Sequence, residues 1–453
     1  AFLAALTLTF VGLAHRNHHF LQEAGGARLH RADSDPAADA HPTLQGGRGG
    51  EVRRSPDDAD LKLTRRLPDP ALQGAACSPG DPGYQEGQVA AVLVLCYNRP
   101  RYLERTLGTL KKRLLARSLK QKFPVYVSQD RRAQNLTGPA LATREVIRRF
   151  ESTDGGKAEG GFIAARLERD PQFVSLPPPK TPGHLHNYFH LSGHYKWALT
   201  QMFDCRRFPK VIILEDDMLI SADFFSYFEG THRLLDEDPT VYTISSWNDN
   251  GFAEYAGNPA EVFRTDFFPG LGWMMGANLW RELKFKWPRA FWDDWMREPA
   301  QTKGRSSVVP EVSRNANFGQ ERGASGNEDP MRAHVSRVVK NEVFVNFSER
   351  NLTEELALGA YRKRLQERIR RSTLLANLEL AVPLSGVTRD CRIAYASKWE
   401  LEDMLRFLSL APLSHGMARG SFDGVIQLRA GRNRLLFIVP GHNQTQQEEV
   451  TKV

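Results

Sequence analysis

Cysteine is scarce: four residues among 453, at Cys77, Cys96, Cys205 and Cys391. No two of them form a C-x-x-C pair, which argues against a zinc ribbon and a thioredoxin-type redox site. One or two disulfides remain open, and spacing alone does not pair them. No internal repeat is visible, and no stretch is apolar for long enough to span a bilayer. The most apolar terminus, Ala1–Ala14 (AFLAALTLTFVGLA), falls short of the about 20 residues a spanning helix needs. It is expected to be the remainder of a signal anchor (residues 1–14), with a secretory leader as the other reading. Either directs the rest of the chain to a lumen. Sustained interleaving of aromatic and basic residues is also missing. The formal net charge of +8 is dispersed, so no nucleic acid is expected as a partner. Such a basic surface equally suits an anionic nucleotide or lipid headgroups.

What is present is enough chain for two or three domains. Residues 15–86 are rich in Ala, Gly, Asp, Arg and Pro and show no hydrophobic period. They cannot bury enough apolar surface to offset chain entropy, and are expected to be a disordered stem. Folded sequence begins at Val89–Leu95, a continuous apolar run that suits a strand buried on both faces. Pro100 can open a helix carrying Tyr102, Leu103, Leu107 and Leu110 at helical spacing. Strands are expected at 123–128, 211–214 and 241–245, and helices at 140–150, 188–202 and 224–235. This alternation predicts an α/β fold with a mostly parallel sheet flanked by helices. Ligands in such sheets sit at the carboxyl ends of the strands. A helix is expected at 354–380, then short strands with turns. The layout is a catalytic domain over 87–350 and a smaller C-terminal α+β domain over 351–453. Four N-x-S/T sequons, at Asn135, Asn346, Asn351 and Asn443, are consistent with a lumenal surface.

The richest chemistry follows the apolar run Val211-Ile212-Ile213. Leu214 is succeeded by Glu215, Asp216 and Asp217. Three carboxylates at a strand tip repel one another, and a cation there would relieve them. A divalent ion carrying a phosphate is the simplest candidate. Asp130 ends the second strand, so it can converge with this triplet.

Three runs follow the triplet in order: Ser246–Gly251 (SWNDNG), Arg264–Trp273 (RTDFFPGLGW) and Lys286–Arg297 (KWPRAFWDDWMR). Together they resemble the N-acetylglucosaminyltransferase I family. The resemblance covers about Val89 to Phe347, more weakly the C-terminal part, and not the stem. Tyr97-Asn98-Arg99-Pro100 leans toward the branch that extends O-linked mannose. The intact triplet, the Trp-Asn-Asp-Asn run and Phe-Trp-Asp-Asp-Trp favour the N-glycan branch. An inactive lectin-like relative is the third reading, and the presence of both Asp217 and Asp293 speaks against it.

The resemblance implies a GT-A-type nucleotide-binding sheet and inverting transfer of GlcNAc from UDP-GlcNAc. The acceptor would be the 2-hydroxyl of the α-1,3-linked mannose of an oligomannose N-glycan, the step that starts hybrid and complex N-glycans. It implies a Golgi membrane setting through the N-terminal anchor. It makes Asp217 the ligand of Mn2+ or Mg2+, with Asp216 at the sugar nucleotide and Glu215 near the donor sugar. An inverting displacement needs a carboxylate on the acceptor side, and Asp293 is expected to be that general base, with Trp292 shielding the site. Its neighbour Asp294 is expected to point elsewhere. Arg99 and Asp130 are implied at the uridine and ribose, and His194 near the nucleotide. Ser325 falls in a Gly-rich loop that would close over the donor, although the Asn-Glu-Asp-Pro after Gly326 departs from the family pattern. Family members commonly carry paired cysteines where this chain has Thr243 and Ser307, and another where it has Arg131. Cys96 is therefore expected to be a free thiol.

Overall fold

The computed structural model describes residues 77, 83–132, 135–151, 161–169, 171, 174, 176–319, 331–381, 389–430 and 434–441. All fall in one compact unit, 55–453. The expected anchor, most of the expected stem, and Ser325 lie outside the described residues.

The chain folds as an α/β protein around an eight-stranded sheet. Its strands are β1 (Ala91–Cys96), β2 (Val125–Gln129), β3 (Ile163–Glu168), β4 (Lys210–Glu215), β6 (Val241–Ser245), β7 (Val262–Thr265), β8 (Trp273–Gly276) and β9 (Ser306–Pro310). They lie in the order β3-β2-β1-β4-β8-β6-β9-β7. The pairs β3–β2, β2–β1, β1–β4 and β6–β9 are parallel, and the reversed strands β8 and β7 are antiparallel to their neighbours.

The apolar run of β1 explains why this sheet is buried on both faces. Val92, Val94 and Cys96 turn to one side, where they meet Leu103, Leu107, Leu110 and Leu114 of α1 (Pro100–Leu115). Ala91, Leu93 and Leu95 turn to the other, against Tyr195, Ala198 and Leu199 of α3 (His186–Thr200). Each buried leucine contributes about 1.5–3 kcal/mol. Pro100 stands in the first turn of α1, where its missing N–H costs nothing. Between these helices α2 (Gly138–Glu151) covers the β2–β3 side. After α3 the chain makes a π-turn over Gln201–Cys205, and Cys205 is joined to Cys77 in a disulfide. Cys96 and Cys391 are free and buried.

Past the acidic triplet, β5 (Met218–Ile220) pairs antiparallel with β10 (Asn315–Asn317), so a distant segment returns to the triplet. The helices α4 (Phe224–Thr231) and α5 (Leu234–Glu237) replace the single helix expected at 224–235. Further on, α6 (Ala277–Leu283), α7 (Trp292–Met296), α8 (Pro299–Thr302) and α9 (Met331–Arg337) complete the part around the large sheet.

The long helix expected over 354–380 is corrected to three pieces followed by a 3-10 turn at Leu378–Ala381. They are α10 (Leu352–Leu356), α11 (Leu358–Arg371) and the short strand β11 (Thr373–Leu374). The break has a cause. The Leu356 carbonyl accepts from the Arg264 guanidinium at 2.8 Å, and Ala357 is extended (ψ 133°). At the far end Thr373 is drawn off into pairing with Cys391 of β12 (Cys391–Tyr395). The remaining strands, β13 (Ser421–Phe422), β14 (Val425–Arg429) and β15 (Leu435–Pro440), complete a five-stranded sheet, β11-β12-β15-β14-β13. Helix α12 (Lys398–Phe407) packs Leu401, Met404 and Leu405 onto it.

The two sheets are tied by a buried ion pair. Arg429 of β14 donates through Nε and Nη2 to both oxygens of Glu311, which also accepts from the Gly257 and Asn258 amides at 2.8 and 2.7 Å. Glu311→Ala removes one partner of a desolvated pair and leaves Arg429 uncompensated. A loss of about 3–5 kcal/mol of unfolding free energy is expected, read from urea titration. A loss within experimental error of zero would show the two sheets to be held by packing alone.

Candidate active site

Because β1, β2 and β4 are parallel, their carboxyl ends share one edge of the sheet. The register sets Leu95 beside Glu215 and Cys96 beside Gln129. Arg99, Asp130 and the triplet Glu215–Asp217 therefore meet at that edge although they are remote in sequence.

Arg99 supplies part of the positive charge that the triplet demands. Its guanidinium contacts Asp216 Oδ1 and lies 2.9 Å from Asp217 Oδ2. Both carboxylates are nearly inaccessible, at 2% and 5% exposure. Burial pushes Asp216 up to about 7; Arg99 opposes that and Asp217 adds to it. Burial and then Asp217 push Glu215 up to about 7. Neighbouring groups hold the turn in shape. Thr106 Oγ1 of α1 donates to the Asp216 carbonyl at 2.8 Å and accepts from the Met218 amide at 3.2 Å. Asn317 Nδ2, delivered by β10, donates to Asp217 Oδ1 at 3.1 Å. A Cβ at Gly319 would stand 2.2 Å from Asp217 Oδ2, so only glycine allows this approach.

Asp130 lies beside this centre but is already engaged. It pairs with the fully buried Arg169 and, at 2.7 Å, with Arg132. Burial alone would raise it. The arginines, Arg169 foremost, win and hold it at about 2. His194 Nε2 is 2.7 Å from Ser128 Oγ, at the end of β2. Desolvation keeps this imidazole neutral, lowered to about 3. Burial pushes the Cys96 thiol well up, so it stays protonated.

The acceptor-side candidates sit on α7. Phe291, just before it, adopts a left-handed backbone (φ 55°) and stacks on Tyr188 with ring centroids 4.2 Å apart. This conformation is costly for a bulky residue and turns the chain into the helix. Trp292 is buried, stacked on Tyr195 at 4.1 Å and on Trp273 at 5.8 Å. Asp293 is outside this stack, with its side chain 43% exposed. The expectation that Asp294 points away is corrected. Both carboxylates converge on Arg297, Asp293 Oδ2 at 3.1 Å and Asp294 Oδ1 at 2.9 Å. The helix ends within one turn, so i,i+3 and i,i+4 both reach the same guanidinium.

Tyr195 connects the two halves. Its ring lies on Trp292 and its hydroxyl donates to Glu215 Oε1 at 2.7 Å. Asp293 raises the proton affinity of both Tyr195 and Glu215. Asp217 and Asp293 thus both act electrostatically on the one tyrosine. Sequence reasoning did not assign Tyr195, Asn317, Thr106, Arg169 or Arg297 to the site. Only Tyr195 carried a signal, a polar-tipped aromatic beside His194 and Trp197 in an expected helix.

A mostly parallel sheet with an acidic strand tip facing a second carboxylate on a short helix has the layout of a GT-A-type glycosyltransferase. The chain belongs to the GNT-I family, whose profile matches residues 75–450. An Arabidopsis thaliana relative, "Alpha-1,3-mannosyl-glycoprotein 2-beta-N-acetylglucosaminyltransferase", is 34% identical over 358 residues, 78% of this chain and 75% of the relative. Among solved structures, Staphylococcus aureus TarS 1-349 in complex with UDP-GlcNAc is similar at a TM-score of 0.34 and 11% identity, over 66% of this chain and 76% of that one. The mannosyltransferase PcManGT of Pyrobaculum calidifontis, in complex with GDP-Man and Mn2+, is similar at a TM-score of 0.29 and 16% identity. That match covers 56% of this chain and 64% of the solved one, under two thirds of its length.

His194 makes the site's acid sensitivity testable. The unfolded chain protonates it near 6.5 and the folded protein only near 3. Its contribution is therefore lost as pH falls from 6.5 toward 3, at up to ~1.4 kcal/mol per pH unit. His194→Gln should flatten the decline in urea-unfolding free energy between pH 6.5 and 4.5. An unaltered slope would show that His194 is charged in the folded protein.

Proposed function

We propose that this chain transfers GlcNAc with inversion from UDP-GlcNAc to the 2-hydroxyl of the α-1,3-linked mannose of an oligomannose N-glycan. The family membership and the named relative support the reaction. The single observation that carries the mechanism is Tyr195, which ties the Glu215 end of the triplet to the helix bearing Asp293.

In this reading Asp293 Oδ1 takes the proton of the mannose hydroxyl as its oxygen bonds to the anomeric carbon. The bond to UDP breaks on the opposite face, and UDP leaves with the electron pair. One carboxylate placed for such a transfer contributes roughly 10²–10⁴-fold. Tyr195, Trp292 and their aromatic neighbours keep water from the donor. Asp216 and Glu215 would meet the sugar nucleotide.

Metal dependence belongs to the same proposal. Mn2+ or Mg2+ takes hard oxygen ligands, typically one or two carboxylates with phosphates and waters. Among the described residues no group of three His, Cys, Asp or Glu side chains stands ready to hold an ion. Asp217 fits the smaller requirement. Its Oδ2 meets no Cβ at Gly319, and its other contacts are exchangeable N–H donors. Asp217 would hold the ion, which when bound supplies positive charge for the departing diphosphate.

Residence in the Golgi lumen, by way of an N-terminal membrane anchor, is also proposed. It is supported by the apolar run at 1–14, the Cys77–Cys205 disulfide, and the exposure of Asn135, Asn346 and Asn351 in their sequons. Among the described residues no helix is long and apolar enough to cross a membrane.

Incubation with UDP-GlcNAc, Mn2+ and a five-mannose N-glycan should add one N-acetylhexosamine by mass spectrometry. Transfer only to an O-mannosyl peptide would replace this acceptor with the other branch's. Asp217→Ala is expected to abolish the Mn2+-dependent part of UDP-GlcNAc binding in calorimetry. Asp293→Asn should leave that binding nearly intact and lower turnover by at least about 10²-fold. Turnover within about tenfold of wild type, ~1.4 kcal/mol of barrier, would mean that another group is the base.

A further inference from the structure

Arg297 is where the catalytic helix, the Ser246–Gly251 turn and the C-terminal chain meet. Its side chain is 9% exposed. Nη1 reaches Asp293 Oδ2 and Asp294 Oδ1, while Nε donates to the Phe268 carbonyl at 3.1 Å. The clamp contacts Asp293 through Oδ2, and the carboxylate is 43% exposed. The guanidinium lies 4.9 Å from the centre of the buried Phe267 ring. Arg419, from the C-terminal chain, lies 4.6 Å from the same ring and 3.2 Å from Asp249 Oδ1. Asp249 Oδ2 is buried without a hydrogen bond, and Asp249 acts electrostatically on Arg297. The C-terminal chain is fixed here by more than charge. Asn250 donates to the Arg419 carbonyl at 2.8 Å, and a Cβ at Gly420 (φ +72°) would stand 2.8 Å from Asn250 Nδ2. From the same region His415 Nε2 comes within 3.6 Å of Asp294.

We propose that Arg297 is the positioning residue for the general base, and that the Asp249–Arg419 pair sets how firmly Arg297 holds Asp293. The proposal rests on reading Asp293 as the base. It makes the C-terminal chain part of the acceptor-side machinery, and it assigns a task to the Trp-Asn-Asp-Asn run that the reaction itself leaves unused. The charges form an alternating row: Arg419, Asp249, Arg297, then Asp293 and Asp294, with His415 beside the last. Asp249 competes for the guanidinium that orients the base, and Arg419 occupies Asp249 and so weakens that competition. The other titratable groups facing Asp293 are Glu215, from the tip of β4, and Tyr195, from α3.

The test is the pH dependence of kcat/KM with the five-mannose acceptor, measured with UDP-GlcNAc affinity on the same variants. Arg297→Met should lower kcat about 10²-fold and move the acid limb up by about one pH unit, because a base stripped of its cation binds protons more tightly. Arg297→Lys should recover part of both effects. Asp249→Asn should move the limb the other way, to lower pH, and Arg419→Met should move it up. UDP-GlcNAc affinity should stay constant throughout. A merely structural role does not give shifts of opposite sign. If Arg297→Met does not fold, the opposed shifts of Asp249→Asn and Arg419→Met carry the test alone. A limb that stays in place in both, or moves the same way in both, overturns the proposal. Asp293→Asn separates the two readings. If it retains turnover, the base assignment falls. If it loses turnover while the limb ignores Arg297, only the clamp falls.

Discussion

Two carboxylates, Asp216 and Asp217, lie buried at the end of β4, and a single arginine, Arg99, pairs with both. Charges taken out of water at this depth are tolerable only when paired and hydrogen-bonded. The requirement spreads through the neighbouring structure. Arg99 is the residue before Pro100, so the start of α1 is tied to the strand tip. Thr106, two turns further along α1, closes the peptide between Asp216 and Met218. The β5–β10 pairing then brings Asn317 against Asp217 from a point 100 residues away. Removing the positive charge would leave repulsion that α1, β4 and β10 each depend on avoiding. A bound cation would have to take over the part Arg99 now plays toward Asp217.

The α7 side of the site is held by apolar contact instead. Trp273, Trp287 and Trp292 stack nearly parallel, at interplanar angles of 17° and 13°. Tyr195 extends that stack to the charged side. Rings buried this way resist tilting, because each shift opens a gap that no neighbour fills. The stack is therefore a rigid seat for a helix of five residues, too short to hold its own shape in water. The strained backbone at Phe291 persists because this packing over-determines it. Donor and acceptor sides thus rest on different physics, ion pairing and ring packing, and Tyr195 belongs to both.

The fold was legible where one local rule decides the outcome. Val89–Leu95 suited a strand buried on both sides, and strands alternating with helices pointed to a mostly parallel sheet, which puts Arg99, Asp130 and the triplet on one edge. The acidic tip was legible as a charge problem. Its solution was not, because Arg99 and Asp216 are 117 positions apart and nothing local links them. The same holds for Arg169, which comes from the end of β3 to neutralise Asp130. The predicted helix over 354–380 failed at Leu356, where Arg264, 92 residues earlier, captures a carbonyl that the helix would have used. Asp294 failed for a geometric reason. In so short a helix the two adjacent carboxylates flank one long side chain instead of facing apart.

Thr243 and Ser307 meet inside the large sheet. Their hydroxyls are 2.8 Å apart across β6 and β9. A neutral hydrogen bond contributes about 1 kcal/mol. A disulfide closing a loop of this length would constrain the unfolded chain by roughly 4 kcal/mol. The hydroxyl pair cannot replace that. Arg264 lies in the same layer and supplies cross-links of another kind. Its Nε donates to Ser306 Oγ at 2.7 Å. Its two terminal nitrogens reach Asp238, the Leu356 carbonyl and both oxygens of Thr240 at 2.7–2.9 Å. All five guanidinium donors are therefore used, joining β7 to β9, to the entrance of β6 and to α10. The Cys77–Cys205 disulfide restrains the start of the sheet across a separation of 128 residues. On the far side, which has no disulfide, one buried arginine with every donor spent adds cross-links to the strand pairing.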